Sequence, residues 1–174
     1  SSVEETLNLI QLTLQKVTQT KESISEAFYL VQEKLIAQNV IYAELRFAPQ
    51  SFMQRGLSQR KVIEAALDGL SRSHLSSSII LCCMRGPERE KANLETVQLA
   101  KEYLTTHDGI TALDLAGAEG LFATSDYREL FSLASKLDVP FTLHAGEAAG
   151  ADSVRCAIEM GARRIGHGVR AFED

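Results

Sequence analysis

A chain of 174 residues, 45% of them hydrophobic and with no apolar run long enough to cross a membrane, is expected to fold as one soluble globular domain with a substantial core. With 18 Lys and Arg against 23 Asp and Glu the formal net charge is -5, and no basic cluster could track a phosphate backbone, so neither a macromolecular nucleic acid nor a membrane is an expected partner. Three cysteines, two of them adjacent at Cys82 and Cys83, neither form a disulfide framework nor have thiolate-zinc spacing; cytoplasm is the simplest compartment, and a start at Ser1 without methionine leaves room for a missing upstream segment.

In chain order, Val3, Leu7, Ile10, Leu14 and Val17 recur at helical spacing and predict an amphipathic helix over residues 3–19. A second helix opens at Ser23, with Glu26 three residues on as a capping box, and runs to a break at Asn39. Val40 to Phe47 alternates as a strand: Ile41, Ala43, Leu45 and Phe47 suit a covering helix, while Tyr42, Glu44 and Arg46 share the other face. Glu44 and Arg46 fit a buried ion pair at least as well as a catalytic role. After Ser58, an N-cap, a helix buries Val62, Ile63, Ala66, Leu67 and Leu70. Ile79 to Met84 reads as a strand covered on both faces, with Arg85 at its end.

Pro87 suits the first turn of a helix through Leu104, with Leu94, Val97, Ala100, Tyr103 and Leu104 inward. Ile110 to Leu115 is the next strand, carrying Asp114 and followed by Gly117. Asp126 and Glu129 start a helix that buries Leu130, Phe131, Ala134 and Leu137. Val139 to Leu143 is then a buried strand that stops at His144; Gly146 frees the backbone to turn, and Glu147 lies near enough to share a small cavity with His144. Two readings stand for this pair: metal ligand and proton carrier, or hydrogen-bonded core histidine and first-turn acid of the next helix. Asp152 to Met160 forms a short helix stopped by Gly161, after which Arg164 to Gly168 repeats the pattern, a short strand ending in His167 between two glycines.

Five strands alternating with helices imply a parallel sheet with right-handed crossovers. Each strand ends in polar groups, which favours an arc of a barrel with its ligand at the strands' carboxyl ends, and no GxGxxG or P-loop supports a nucleotide-cofactor fold. His74 and His107 read as surface residues, Cys82 and Cys83 as packing, and Arg163 and Arg164 as solvated residues at a strand start.

The ordered motifs YAELRFAP, ILCCMR, LDLAGAE, HAGE and RIGHG resemble the adenosine deaminase family of zinc-dependent purine deaminases, within the metal-dependent hydrolases. The resemblance implies an α/β chain forming part of a (β/α)8 TIM barrel, with residues 1–174 as the central part of one barrel domain holding about five parallel strands and their helices. It implies Zn2+ as cofactor with His144 as a ligand, Glu147 as the acid that protonates purine N1, His167 as the group that positions and activates the attacking hydroxide, and Gly117 as an N–H donor to purine N3. The implied reaction is hydrolysis of a cyclic amidine C–N bond, converting adenosine or deoxyadenosine to inosine or deoxyinosine and ammonia in purine salvage, with a small-molecule substrate. The alternatives are a deaminase of adenine or another 6-aminopurine derivative, and a non-catalytic barrel-derived binding protein. The chain departs from the family in lacking its HxH after the first strand and its aspartate pair after the eighth, and Ala118 stands where the family has an acid in DLAGDE. The segment by itself is therefore expected to be inactive.

Overall fold

The computed structural model describes residues 18–173, which fall into two compact units, residues 18–80 with 103–111 and residues 81–102 with 112–173. All but the last two residues of the helix expected over 3–19 lie outside the described residues.

In the first unit, helix α1 (Lys21–Ala37) is capped three residues before the expected Ser23. Thr20 is the N-cap: its Oγ1 accepts from Ser23 N at 3.2 Å, and Ser23 Oγ accepts from Thr20 N at 3.1 Å. Ser23 is thus the returning member of the box, a hydroxyl where Glu or Gln is usual. The break at Asn39 is as expected, since this residue takes the left-handed φ of 62° that Asn tolerates. Strand β1 (Tyr42–Phe47) turns Phe47 onto Phe28 of α1, ring centroids 4.9 Å apart and edge-on, and onto Phe52 at 5.7 Å. Its charged face is not buried in this chain: Arg46 is exposed and Glu44 only half-buried, against the buried ion pair expected there. Ser58 caps α2 (Gln59–Ser71) by accepting from Lys61 N, and Val62, Ile63, Ala66 and Leu70 form its buried side as read from sequence, whereas Leu67, also expected inward, is half-buried.

The close approach of α1 and α2 centres on Gly69. A Cβ there would overlap the Ser25 carbonyl oxygen and stand 2.8 Å from Phe28 Cβ. Around this contact Ser25 Oγ donates to Asp68 Oδ2 at 2.5 Å, and Gln32 Nε2 donates to Gly69 O at 3.2 Å and Phe28 O at 2.9 Å.

Strand β2 (Ser76–Met84) begins three residues before the expected start, because Ser77 and Ser78 are buried with the apolar run. In the second unit, a 3-10 turn over Pro87–Arg89 leads into α3 (Glu90–Glu102). Its buried side carries Asn93, Thr96, Val97, Leu99 and Ala100, whereas Leu94, expected inward, is 43% exposed. Asn93 takes an inward place because its amide closes the end of β2, donating to Met84 O and accepting from Met84 N, both at 2.8 Å. A buried amide is tolerable when both of its ends are satisfied.

Strand β3 (Ile110–Ala116), helix α4 (Arg128–Lys136), strand β4 (Thr142–Ala145), helix α5 (Ala151–Glu159) and strand β5 (Arg164–His167) complete the alternation. The strands pair in the order β1-β2-β3 and β4-β5, and a parallel bridge Leu113↔Phe141 with Leu113 N donating to Pro140 O at 2.9 Å links β3 to the β4 segment. Sequence order and neighbour order therefore coincide, the pattern of a barrel arc, with none of the reversal that defines a doubly wound sheet. Phe131 of α4 packs on Phe141, centroids 4.8 Å apart, and Leu81, Leu113, Leu115, Leu143 and Ala145 fill the core of this unit.

In Gly69→Ala the helix-propensity gain of about 1 kcal/mol opposes an overpacking cost of about 1 to 3 kcal/mol, and the nearest atoms are backbone and a Cβ, which cannot swing aside. Net destabilisation is the expected outcome, read as a lower denaturant midpoint with an unchanged slope; a raised midpoint would show that the two helices are not in the tight contact described.

Candidate active site

Strands β3, β4 and β5 bring the site residues of the second unit to one edge. The β4–β5 register is parallel, Thr142↔Arg164, Leu143↔Ile165, His144↔Gly166 and Ala145↔His167, so the two histidines lie one step apart on adjacent strands. Their ring centroids are 5.0 Å apart. His144 lies inside β4 and not after it, because the strand continues through Ala145 and turns only at Gly146, φ 73°. His167 adopts a left-handed φ of 64° at the end of β5, with Gly166 and Gly168 on either side, and Gly168 N donates to Ala145 O at 2.9 Å. A non-glycine residue in that region costs on the order of 1 kcal/mol, a cost His bears better than a β-branched residue.

His144 Nδ1 stands 2.9 Å from Oδ2 of Asp114, a carboxylate with no exposed surface whose Oδ1 accepts from Leu115 N at 2.7 Å. A carboxylate beside Nδ1 favours the tautomer protonated there, which leaves the lone pair on Nε2, the opposite ring nitrogen. Glu147 is exposed and its Oε2 lies 3.3 Å from His167 Nε2. It is not the first-turn acid of the next helix: α5 begins at Ala151, and its first-turn acid is Asp152. The geometry therefore brings together His144, Glu147 and His167, with Asp114 behind His144.

Gly117 follows β3 with φ 110°, a left-handed region, and a Cβ there would sit 3.3 Å from both Arg85 Cβ and Arg85 N. Only a residue without a side chain suits this close approach. Ala118 contributes through its carbonyl, which accepts from Leu121 N and Phe122 N at 3.1 Å, a role open to any side chain.

The turn that carries Glu147 is held by a residue the sequence reading did not select. Glu119, 5% exposed, accepts from Gly146 N at 2.7 Å and Ser153 Oγ at 2.6 Å through Oε1, and from Glu147 N, Ala148 N and Ala149 N at 3.0, 2.8 and 3.0 Å through Oε2. Burial by itself pushes this carboxyl up, but the donors outweigh it and hold Glu119 below the ordinary carboxylate range. On the other side Arg85, 4% exposed, donates to Phe122 O at 2.7 Å, to Thr124 Oγ1 at 3.0 Å and to the carbonyl of His144 at 2.8 Å. Burial lowers the Arg85 pKa, and Glu119 is foremost among the neighbours that oppose this shift. Thr124 Oγ1 and Ser153 Oγ are 2.7 Å apart, so the donors run in one direction, Arg85 to Thr124 to Ser153 to Glu119. No spacing rule in the sequence singles out Glu119; its only mark is its place in LDLAGAE.

The remaining candidates lie elsewhere. Cys82 and Cys83 are buried, and burial followed by the Asp114 charge pushes the Cys83 thiol up, so it stays protonated and packs. His74 is exposed, and His107 is exposed beside Asp108 at 2.9 Å. Arg163 and Arg164 are exposed at the start of β5. Among the described residues no group of three or more His, Cys, Asp or Glu converges closely enough to hold a metal ion, and no helix is long and apolar enough to cross a membrane.

Residues 2–174 match the family model described as adenosine deaminase. An adenosine deaminase of Haemophilus ducreyi is 48% identical over 99% of this chain and 52% of its own length, so the chain spans about half of that relative. Among solved structures, an adenine deaminase from Arthrobacter aurescens superposes on the whole chain and 53% of its own, with a TM-score of 0.88 at 24% identity, a likeness of fold. The Arabidopsis N6-mAMP deaminase matches 94% of this chain and 51% of its own, with a TM-score of 0.78 at 27% identity. With its five strands forming part of a TIM barrel and the family model spanning nearly every residue, the chain belongs to the adenosine deaminase family.

Proposed function

We propose that residues 1–174 are the central part of one barrel domain of a zinc-dependent deaminase that hydrolyses the 6-amino group of adenosine or deoxyadenosine, as in purine salvage. The observation that carries this reading is the convergence of Glu147 and His167, 3.3 Å apart, beside a histidine whose Nδ1 lies 2.9 Å from a buried aspartate. Packing requires no such set at the exposed ends of two strands, which argues against a barrel that only binds. The Haemophilus ducreyi relative, an adenosine deaminase at 48% identity, supports adenosine. The 27% likeness to an N6-mAMP deaminase keeps other 6-aminopurine derivatives as the second reading.

The donor set fits a metal in one respect: His144, oriented by Asp114, offers a single imidazole nitrogen, and a catalytic zinc takes about three protein ligands, so His144 is one of several. When bound, zinc supplies a Lewis acid that brings the pKa of water to about 7 and provides a nucleophile at neutral pH. His167 Nε2 orients the attacking water and takes its proton, Glu147 delivers a proton to purine N1, and the Gly117 N–H donates to N3. Water oxygen adds at C6; as the C6–N bond breaks, the proton held by His167 passes to the departing amino nitrogen and the C6 hydroxyl proton returns to Glu147, so that ammonia leaves with a 6-oxopurine. Protonation at N1 is required because addition at C6 pushes an electron pair into the ring at that atom. In this reading Glu147 is the group that supplies that proton.

In the full-length protein that carries this chain, Glu147→Gln is expected to keep its zinc and to lose deamination by a factor on the order of 10² or more. Assays on adenosine, adenine and AMP monitor this as the fall in absorbance on conversion to the 6-oxopurine, and unchanged turnover on every substrate would exclude Glu147 from the chemistry. His144→Ala is expected to lose metal, measured as zinc stoichiometry by elemental analysis; full occupancy would exclude it as a ligand. The 174-residue segment expressed alone, holding one proposed ligand, is expected to neither retain zinc through gel filtration nor deaminate adenosine, and stoichiometric zinc with turnover would mean that a different ligand set lies within it.

A further inference from the structure

We propose that Glu119 is a positioning residue for this site: its carboxylate fills the concavity formed by four successive N–H groups after β4, and so sets where Glu147 stands. The inference rests on the reading of Glu147 as proton donor. A run of backbone N–H groups turned to one side is a nest for an anion. Here the anion is the chain's own carboxylate, supplied from 27 to 30 residues away.

Three features separate this role from simple packing. Glu119 spends both oxygens on the turn, two donors on Oε1 and three on Oε2, and is 5% exposed, so it is not itself free to touch a substrate. One of its donors is the N–H of Glu147, so the proton donor's own backbone is fixed while its side chain reaches toward His167. The opposite end of the same segment is fixed by a cation, since Arg85 donates to the His144 carbonyl. Residues 144–149 are thus held by a guanidinium at one end and a carboxylate at the other, and Thr124 and Ser153 join the two with every donor pointing toward Glu119. Hydrogen bonds polarised along one direction strengthen one another, and those to a charged acceptor are about twice as strong as neutral ones. A neutral side chain at 119 would leave four N–H groups facing an uncharged site and let the Glu147 carboxyl drift.

The test compares Glu119→Ala, Glu147→Gln and the double variant in the full-length zinc-loaded protein, with and without sodium formate, which supplies the missing carboxylate. For Glu119→Ala, kcat is expected to fall by a factor on the order of 10², with KM changed only a few-fold, because misplacing a reacting group raises the barrier more than it weakens binding. Formate, but not chloride at equal ionic strength, is expected to restore kcat by about tenfold or more and to raise the melting temperature, by refilling the nest. The double variant is expected to be no slower than Glu147→Gln alone, since the two residues act through one group. Multiplying losses in the double variant, or wild-type kcat in Glu119→Ala, would overturn the positioning role while leaving Glu147 as the acid. Glu147→Gln at wild-type rate would instead remove the acid assignment and the inference with it. If Glu119→Ala does not fold, Glu119→Gln, which fills the space without the charge, decides: loss of kcat without formate rescue supports the role, and wild-type kcat refutes it.

Discussion

The turn between β4 and α5 exists in its observed shape because a buried negative charge holds it. Four N–H groups at 146–149 point to the same side, and no regular strand or helix could satisfy them there. Left without an acceptor each would cost roughly 1 to 3 kcal/mol; a single carboxylate answers all of them. Gly146 makes the turn possible with its positive φ, and a side chain at that position would meet Val154 Cγ2 at 2.6 Å. The carboxylate in turn needs the hydroxyl of Ser153 and, two bonds further back, the guanidinium of Arg85, so a polar chain replaces apolar packing at this edge. Such a network is favourable only when its members are satisfied.

Parallel register is the second constraint. Pairing of Ala145 with His167 and of His144 with Gly166, together with the left-handed φ of His167, brings two imidazoles within 5.0 Å, and a slip of one strand by one residue would turn its side chains to the other face. Apolar neighbours guard that register: Leu143 and Ala145 are buried, and Phe141 bridges to Leu113. The sheet core thus fixes the spacing, and the polar turn fixes the direction, of the groups that stand at its end. Asp114 belongs to both systems, for its backbone is part of β3 and its carboxylate orients His144.

Much of the fold is legible from short-range pattern. The Ser58 cap, the break at Asn39, the stop at Gly161 and the strand–helix alternation arise from interactions between residues a few positions apart, and periodicity reports those directly. Where the reading erred, a hydrogen-bond partner that periodicity does not show had intervened. Leu94 faces outward because Asn93 is needed inward to close β2, and the α1 cap moved to Thr20 because Ser23 serves as the reciprocal partner at N3.

The candidate site divides along the same line. That His144 and His167 stand near the ends of two successive strands, with Glu147 just past the first, was determined by the sequence alone, through short apolar runs that lead to a histidine and glycines that permit a turn. That Asp114 lies beside Nδ1 of His144, that Glu147 stands outside the following helix, and that Glu119 and Arg85 hold the segment between them were decided only by tertiary structure. The physical reason is separation: Glu119 lies 28 residues before Glu147, and Arg85 lies 59 before His144. Hydrogen bonds over such distances leave no periodic trace in a chain, because the strands and helices between them, not local spacing, bring donor and acceptor together.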